Sequence, residues 1–330
     1  MSLRLCMIGC GSFARLFHGP AQKLVATRDR GIQLTACCDR DETRAAEYAQ
    51  TFGFGRHYAD LEQMLAAEKP DAVVMAVPPE ITCSAASPVL ERGFSMLLEK
   101  PPGTTPSELA RLRALAGRSG ARVQVAFNRR HMPVLRRARE ILVAAFHDAP
   151  ANRIEYAMTR FDRWDRDFST TAVHAVDAVR FLAGSPFRTA FIEREAQTQG
   201  ERQAMNLDVT VECVSGLRAR IAIRPVAGRN EETAVIHGLG QTLKIEIPFP
   251  SQPCTDGRLE HWRASERVES FSDEGREVVE KMGIYDETRA FLDAVRAGTV
   301  PEPTLADTVQ QVELMEALRL CRTGWIDLTV

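Results

Sequence analysis

The sequence predicts an α/β protein whose second domain is α+β, with a mixed and largely antiparallel sheet. Residues 3–127 alternate short, almost fully apolar runs with helical patterns, which is typical of a parallel sheet covered by helices on both faces. After about residue 150, consecutive runs instead alternate apolar and polar residues, as antiparallel strands with one exposed face do. The length of 330 residues suits two such domains.

Each break in the first half has a local cause. Pro78-Pro79 ends one apolar run, and Gly53 and Gly120 stand where helical patterns stop. The predicted strands are Leu3–Ile8, Ile32–Cys38, Ala72–Val77, Ser95–Leu98 and Arg122–Phe127. The predicted helices are Phe13–Arg28 with a kink at Gly19-Pro20, Asp41–Phe52, Leu61–Glu68, Ile81–Arg92 and Pro106–Ser119. We place the first domain at residues 1–126.

The second domain is predicted at residues 127–330. Its expected strands are Arg153–Phe161, Asn206–Val214, Leu217–Arg224, Glu232–His237 and Thr242–Ile247. Ser215-Gly216 is typical of a hairpin turn between two of them. Helical patterns return at Tyr285–Ala297 and Leu305–Arg322, and these helices would pack on the second domain or return toward the first.

Composition excludes several classes of partner. The net charge of −2, with Arg scattered among acids, gives no bulk attraction to nucleic acid or to an anionic membrane. No apolar run approaches the roughly 20 residues of a membrane span, and the first residues lack the pattern of a signal peptide. The eight cysteines have no framework spacing, so we expect reduced thiols, a cytoplasmic location and no metal site.

A glycine-rich turn follows the first predicted strand. Gly9-Cys10-Gly11-Ser12-Phe13-Ala14 matches the pattern G-x-G-x-x-G/A. Gly9 permits the tight turn, Gly11 lets a pyrophosphate approach the backbone, and Ala14 allows close packing of helix on strand. The phosphates would lie at the helix N-terminus, where free N–H groups favour anions. We therefore predict a Rossmann domain that binds a dinucleotide through Gly9, Gly11, Ser12, Phe13 and Ala14.

The residue after the second predicted strand indicates which dinucleotide. Asp39 lies 25 positions after Ala14, close to the spacing of about 20 expected for the acid that accepts the ribose hydroxyls. Its charge repels a 2′-phosphate, which favours NAD over NADP. Arg40 could instead pair with that phosphate, or it could be a solvated surface residue. NADP therefore stays the alternative.

Five short motifs, which follow one another along the chain, resemble those of a known protein family. They are Gly9–Ala14, Ala76-Val77-Pro78-Pro79, Glu99-Lys100-Pro101, Phe127-Asn128-Arg129-Arg130 and His174-Ala175-Val176-Asp177, and the pattern around Tyr285–Pro303 also fits. In this set the chain resembles the glucose–fructose oxidoreductase / inositol dehydrogenase (Gfo/Idh/MocA) family of nicotinamide-dependent sugar oxidoreductases. The ordered set spans nearly the whole chain and is more specific than any one member.

The resemblance implies roles for individual residues. Pro78 and Pro79 would shape a loop against the cofactor, with Val77 and Pro78 in contact with it. Glu99 would lie beside the nicotinamide ribose. Lys100 would contact both the cofactor and the reacting hydroxyl of the substrate, with a cis bond before Pro101. The segment after the last strand of the first domain would supply a cofactor contact, Asn128, and a substrate contact, Arg129.

Lys100 also stands out without the resemblance. A lysine that directly follows a buried strand has little room to be a plain solvated charge, and partial burial beside a cofactor suits it to proton transfer. The alternative is a surface ion pair between Glu99 and Lys100.

The histidine segment departs from the family pattern D-x-G-x-H-x-x-D. His174 and Asp177 are present, but Thr170 and Ala172 replace the first Asp and the Gly. Threonine cannot act as a base at neutral pH. Lys100 and His174 could do the acid–base work alone, with Thr170 and Asp177 touching the substrate. A nearby acid could substitute (Asp162, Asp165 or Asp167), or the site could be altered toward another substrate or have no turnover.

An aromatic and charged segment precedes this helix. Residues 160–167 could line a sugar-like pocket, with Trp164 stacking on the sugar ring, or could form a solvated loop of paired charges. We expect His18, His131 and His237 to be structural.

The predicted function is an NAD-dependent oxidoreductase. It would move hydride between the nicotinamide and a secondary alcohol or carbonyl of a sugar, polyol or cyclitol, with Lys100 and His174 as the catalytic residues. The alternatives are an NAD(P)-binding sensor without turnover and a reductase of a non-sugar carbonyl, imine or tetrapyrrole. By resemblance, the second domain would join copies into a homodimer or homotetramer.

Overall fold

The computed structural model describes residues 2–147, 150–165, 167–251 and 253–329. The strands are β1 (Leu3–Ile8), β2 (Ile32–Cys38), β3 (Arg56–Tyr58), β4 (Ala72–Met75), β5 (Ser95–Glu99), β6 (Val123–Ala126), β7 (Arg153–Thr159), β8 (Phe187–Gln199), β9 (Arg202–Cys213), β10 (Arg218–Arg224), β11 (Glu231–Gly238), β12 (Gln241–Glu246), β13 (Arg258–Arg263), β14 (Glu266–Ser272) and β15 (Gly324–Asp327). The α-helices are α1 (Gly19–Arg28), α2 (Glu42–Phe52), α3 (Leu61–Glu68), α4 (Pro79–Glu91), α5 (Pro106–Ser119), α6 (Pro133–Ala145), α7 (Ser169–Ala183), α8 (Val278–Lys281), α9 (Ile284–Ala297) and α10 (Val309–Arg319). A π-helical turn covers Ala14–His18, and 3-10 turns cover Asn128–His131 and Ala306–Thr308.

The chain divides into two compact units, and the second expected domain is interrupted. Unit 1 comprises Met1–Asn128 and Gly283–Val312, and unit 2 comprises Arg129–Met282 and Glu313–Val330. The predicted boundary at 126/127 therefore lies within two residues of the first crossing. Residues 283–312 lie within the predicted second domain but belong to unit 1, which is one of the two placements expected for the last helices.

Unit 1 is built on the parallel sheet that the apolar runs predicted. Its strand order is β3-β2-β1-β4-β5-β6, and every pairing within it is parallel. The order reverses between β1 and β4, which is where ligands of open α/β sheets bind, outside the carboxyl ends of the strands. The prediction of a Rossmann-type α/β fold is confirmed.

Local sequence explains where the helices of unit 1 begin and end. The side chains of Asp41, Asp60 and Thr105 each accept a hydrogen bond from a backbone N–H in the first turn of α2, α3 and α5. Gly53 and Gly120 end α2 and α5 in the left-handed conformation, with φ of 87° and 74°.

The returning segment binds unit 1 through both packing and polar contacts. Phe291 is fully buried on α9, and Arg296 of the same helix pairs with Asp29 at 2.8 Å. The carbonyl of Pro303 accepts a hydrogen bond of 2.8 Å from the backbone N–H of Val125, so the segment also extends the pairing of β6. These contacts explain why residues 283–312 belong to unit 1.

Unit 2 is built on a nine-stranded sheet of order β14-β13-β12-β11-β7-β10-β9-β8-β15. Among the strand pairs of the described residues, only β7–β10 is parallel, so the expected mixed and largely antiparallel sheet is confirmed. Helix α7 packs on β7 and β10, and α6 packs on β12, β13 and β14. No helix in the part of the chain that the structure describes is long and apolar enough to cross a bilayer.

A buried ion-pair network joins three elements of unit 2. Glu232 of β11 accepts hydrogen bonds from Nε and Nη2 of Arg129 at 2.6 and 2.8 Å, and from Nη2 of Arg160 at 2.5 Å. The hydroxyl of Tyr156 also donates to Glu232. Burial alone would raise the pKa of Glu232, but the two guanidinium groups outweigh it and hold that pKa at about 2.

Candidate functional site

The turn after β1 contains two glycines, Gly9 and Gly11, and the protein's own packing explains only the first of them. Gly9 has a φ of 86°, and a Cβ there would lie 2.1 Å from the carbonyl oxygen of Ala76. A Cβ on Gly11 would meet no described atom within 4 Å. Protein packing therefore does not demand a glycine at position 11, whereas close approach of a ligand to the backbone does.

The helical segment after this turn, Ala14–His18, has no acidic side chain in its own first turn. The first N–H groups of any helix have no partner within it, so they can donate to a bound phosphate. A π-helical turn directly precedes α1, next to the Gly19-Pro20 pair where a kink is expected. Pro20 has no N–H for a helical hydrogen bond, which favours such a local irregularity.

Asp39 follows β2 and is tied to the glycine-rich turn. Its Oδ2 accepts a hydrogen bond of 2.9 Å from the backbone N–H of Cys10, and its Oδ1 accepts one of 3.0 Å from Asp41. Arg44 approaches the same carboxylate at 3.5 Å, while Arg40 is exposed. The carboxylate is thus fixed beside the turn, as an acceptor for ribose hydroxyls requires.

The loop after β4 lies against the same turn. The N–H of Ala76 donates to the carbonyl of Ile8 at 2.9 Å, and Val77 Cγ1 lies 3.1 Å from the position of a Cβ on Gly9. Pro78 is exposed and directly precedes α4. Val77 and Pro78 therefore border the crevice outside β1 and β4.

The end of β5 presents Glu99 and Lys100 at the same edge of the sheet. Glu99 is 8% exposed, and Lys100 is half-buried. The Lys100–Pro101 peptide bond is cis, as the resemblance implied. Asn128 is buried just beyond β6. The carboxyl ends of β1, β2, β4, β5 and β6 thus carry all the cofactor-binding residues predicted from the sequence.

This donor set fits a nicotinamide dinucleotide. A pyrophosphate needs the open approach to Gly11 and a first helical turn without acidic side chains, and a ribose needs an acceptor such as the carboxylate of Asp39. Across residues 2–147, 150–165, 167–251 and 253–329, no three His, Cys, Asp or Glu side chains form a group that could hold a metal ion.

The residues predicted to contact substrate in unit 2 lie on α7 and near it. Thr170 and His174 are both half-buried and one helical turn apart, so they share a face of α7. Asp177 is fully buried and accepts hydrogen bonds from Arg130, including one of 2.6 Å from Nη2. Arg130 therefore anchors the helix that carries His174.

The polar groups before α7 have partners within unit 2. The indole of Trp164 donates to Asp162 at 2.7 Å, and the guanidinium of Arg202 stacks 5.0 Å from the centre of its ring. Asp165 pairs with Arg163 at 2.7 Å. The carboxylate of Asp167 accepts a hydrogen bond of 2.9 Å from the N–H of Ser169, the first residue of α7.

Arg129 was expected to contact the substrate, but its environment is that of a core residue. It is 7% exposed, and two of its nitrogens donate to Glu232. Its guanidinium is therefore committed to the buried network of unit 2.

His18 is the residue of this region that sequence patterns did not single out. It was expected to be merely structural, yet its Nε2 lies 2.8 Å from Oε1 of Glu99, beside Lys100. His18 is the last residue of the π-helical turn. The sequence pattern does not indicate that turn, so it could not indicate the contact with Glu99.

Comparisons with known proteins agree with this geometry. Residues 3–127 match the model of an oxidoreductase family with an NAD-binding Rossmann fold. D-xylose 1-dehydrogenase (NADP(+)) 2 of Haloferax volcanii is 24% identical over 306 residues, which cover 87% of this chain and 88% of the relative. Inositol 2-dehydrogenase of Corynebacterium glutamicum strain R is 26% identical over 197 residues, 56% of this chain and 55% of that protein.

The fold is shared along the whole chain with a solved structure of levoglucosan dehydrogenase in complex with NADH and L-sorbose. The TM-score is 0.83 at 17% identity, with 100% of both chains covered. The family model over residues 3–127 and these relatives thus confirm the resemblance to the Gfo/Idh/MocA oxidoreductase family, with an NAD-binding Rossmann fold in residues 3–127.

Proposed function

We propose that this protein is an NAD-dependent dehydrogenase that acts on a secondary alcohol of a sugar, polyol or cyclitol. The observation that carries the proposal is the arrangement in unit 1. The glycine-rich turn, Asp39 and Lys100 all lie at the carboxyl ends of strands on either side of the switch point between β1 and β4. The names of the relatives, which are dehydrogenases of xylose and inositol, support this substrate class.

Lys100 is the residue that we propose moves the proton. A bound nicotinamide accepts the hydride from the carbinol carbon at its C4. The Nζ of Lys100 takes the proton of the hydroxyl group as the C–O bond becomes a carbonyl, and returns it in the reverse reaction. His174 is proposed as the second proton-transfer group and Thr170 as a residue that touches the substrate. Asp177, which is fully buried and bound by Arg130, is proposed to orient the imidazole of His174.

With Thr170 in place of the family's Asp, we propose that Lys100 and His174 alone carry out the acid–base catalysis. The three carboxylates that could have replaced the missing acid each have a partner: Asp162 binds Trp164 and Arg202, Asp165 binds Arg163, and Asp167 binds the start of α7. These contacts support the version of the mechanism in which no acid substitutes at position 170.

Thr170 also supports a second candidate, an NAD(P)-binding sensor without turnover. A panel of sugars, polyols and cyclitols incubated with NAD+ or NADP+ separates the two, with NAD(P)H formation as the readout. Robust turnover of one compound supports the dehydrogenase. Tight NADH binding with no turnover across the panel supports the sensor.

Asp39 is proposed to set the preference for NAD. Replacing Asp39 by Ser removes the charge that repels a 2′-phosphate, and leaves Arg44, which lies 3.5 Å from the Asp39 carboxylate, free of that charge. We expect the Kd for NADH to rise about tenfold and the Kd for NADPH to fall, each measured by fluorescence titration. Asp41→Ser is the matched control. Unchanged preference in Asp39→Ser would show that another residue selects the cofactor.

The open face of the unit 2 sheet is proposed to join copies of this chain into a homodimer or homotetramer. Ala157 and Ala222 are paired in register at the centre of this face and are half-buried, although α7 packs on the other side. We expect sedimentation to detect a dimer or tetramer, which Ala157→Arg dissociates and Ser270→Arg on β14 does not. A monomer with the wild-type sequence would contradict the proposal.

The proposed location is the cytoplasm. Its support is that all eight cysteines are free, as is usual for proteins kept in a reducing compartment.

A further inference from the structure

A buried histidine and a buried glutamate connect the glycine-rich turn to Lys100. His18 is 0% exposed at the end of the π-helical turn, and its Nε2 lies 2.8 Å from Oε1 of Glu99. The other oxygen of Glu99, Oε2, accepts a hydrogen bond of 3.1 Å from the backbone N–H of Lys100. The chain of contacts therefore runs from the first helix, through one carboxylate, to the backbone of the lysine.

Both oxygens of Glu99 are used inside unit 1. A buried carboxylate is costly unless donors compensate its charge, and here the compensation comes from one imidazole N–H and one backbone N–H. Since a carboxylate accepts hydrogen bonds, Nε2 of His18 carries the proton in this contact. Nδ1 of His18 is buried and has no hydrogen-bond partner among the described residues, so Nε2 alone fixes the ring by hydrogen bonding.

We propose that His18 and Glu99 are positioning residues that set the placement of the Lys100 side chain. This inference rests on the proposed role of Lys100 in proton transfer. His18 reaches neither substrate nor cofactor in this role. It holds the carboxylate, the carboxylate holds the backbone of Lys100, and the backbone fixes the direction from which Nζ extends.

The location of His18 also links cofactor binding to the lysine. The turn that ends at His18 begins at Ala14, the last residue of the glycine-rich motif. A shift of this turn when the pyrophosphate binds would reach Lys100 through two hydrogen bonds, without a movement of the sheet.

Two substitutions, His18→Gln and His18→Asn, distinguish loss of the hydrogen bond to Glu99 from loss of the imidazole ring. The side-chain nitrogen of Gln lies near the position of the imidazole Nε2, whereas that of Asn lies near Nδ1 and falls short of Glu99. We expect His18→Gln to keep kcat within about threefold of wild type. We expect His18→Asn to lower kcat by about 10- to 100-fold, since small misplacement of a reacting group has costs of this size. KM and the Kd for NADH should change by less than about threefold.

The deuterium isotope effect on kcat gives a readout that a merely structural role would not move. With a substrate deuterated at the carbinol carbon, the effect should increase in His18→Asn because hydride transfer becomes slower relative to product release. His261→Asn is the matched control, since His261 is also buried and also makes one hydrogen bond through Nε2, at 3.0 Å to Gln241 in unit 2. It should leave kcat and the isotope effect unchanged.

A second measurement needs no turnover. The chain has five lysines: Lys23, Lys69, Lys100, Lys244 and Lys281. Reductive methylation with 13C therefore gives few NMR signals. The signal of Lys100 is assigned as the one that is missing in Lys100→Met. In the NADH complex, His18→Asn should shift the signal of Lys100 and leave the other four in place. His18→Gln should restore it. If neither variant folds, Glu99→Gln, which keeps the shape of the side chain, is measured in the same way.

The outcomes separate this inference from the proposed function. Wild-type kcat, isotope effect and Lys100 signal in folded His18→Asn would overturn the positioning role while Lys100→Met still abolishes turnover. Full activity in Lys100→Met would instead remove Lys100 from the proposed mechanism, and the absence of NAD(P)H formation by the wild-type protein across the substrate panel would overturn the proposed function.

Discussion

Replacement of Lys100 by Met is expected to lower kcat for alcohol oxidation by about 10²- to 10⁴-fold. This is the range that general acid–base catalysis by one positioned side chain contributes. Met retains the length and apolar stem of Lys but has no group that accepts a proton. Because Lys100 is half-buried at the end of β5, its replacement leaves the core of unit 1 intact, and the thermal unfolding midpoint should stay within a few degrees of wild type.

The affinity for NADH and a control variant test whether the lower kcat of Lys100→Met is specific to proton transfer. The Kd for NADH should change by less than about tenfold, because the glycine-rich turn and Asp39 supply most of the contacts proposed for the cofactor. Lys23→Met, an exposed lysine on α1, is the control for loss of a positive charge. A folded Lys100→Met protein that turns over near the wild-type rate would remove Lys100 from the mechanism.

Replacement of Glu232 by Gln is expected to lower the free energy of unfolding by about 3–5 kcal/mol. The change leaves the guanidinium groups of Arg129 and Arg160 buried without their counter-charge, and breaking a buried pair in this way has a cost of that size. Glu231→Gln is the matched control, because Glu231 is the adjacent residue and its pair with Arg229 is at the surface. Urea unfolding should place the control within about 0.5 kcal/mol of wild type.

The same network predicts how stability depends on pH. The pKa of Glu232 in the folded protein, about 2, is lower than its usual value of 4.5, so the folded state binds this proton less readily than the unfolded state does. The stabilisation is therefore fully present above about pH 4.5 and is lost as the pH falls toward 2. Wild type should lose more stability than Glu232→Gln across this interval. Parallel curves for the two proteins would show that Glu232 does not titrate as described.

The elements of unit 1 could be predicted well because residues close together in the sequence determine most of them. Buried parallel strands appear as uninterrupted apolar runs, and strands such as Ile32–Cys38 were located at both ends. The helix caps at Asp41 and Thr105 and the left-handed glycines after α2 and α5 are chemical signals within a few residues of the feature that they determine. The glycine-rich turn belongs to this class.

The features that escaped prediction depend on contacts between residues far apart in the chain. Strand β8 was missed because the polar residues of its second half, such as Glu195 and Gln199, resemble those of a loop. Its pairing with β9 organises them. The return of α9 to unit 1 depends on partners such as Asp29 and Arg296, which no sequence window contains together.

The candidate site shows the same division. Gly11, Asp39 and Lys100 could be proposed from the sequence because each is adjacent to a strand end. His18 was not, because its partner Glu99 lies 81 residues away. Arg129 was given a role with substrate because Glu232, 103 residues away, could not be foreseen as its partner.

The most direct test of the central claim is isotopic transfer in a single turnover. The enzyme would be incubated with excess NAD+ and a sugar, polyol or cyclitol from the panel that carries deuterium on the carbinol carbon, and the NADH formed would be analysed by mass spectrometry. The account predicts that the wild-type protein delivers the deuterium to the nicotinamide C4 and that Lys100→Met does so far more slowly. NADH binding without any deuterium transfer would contradict it.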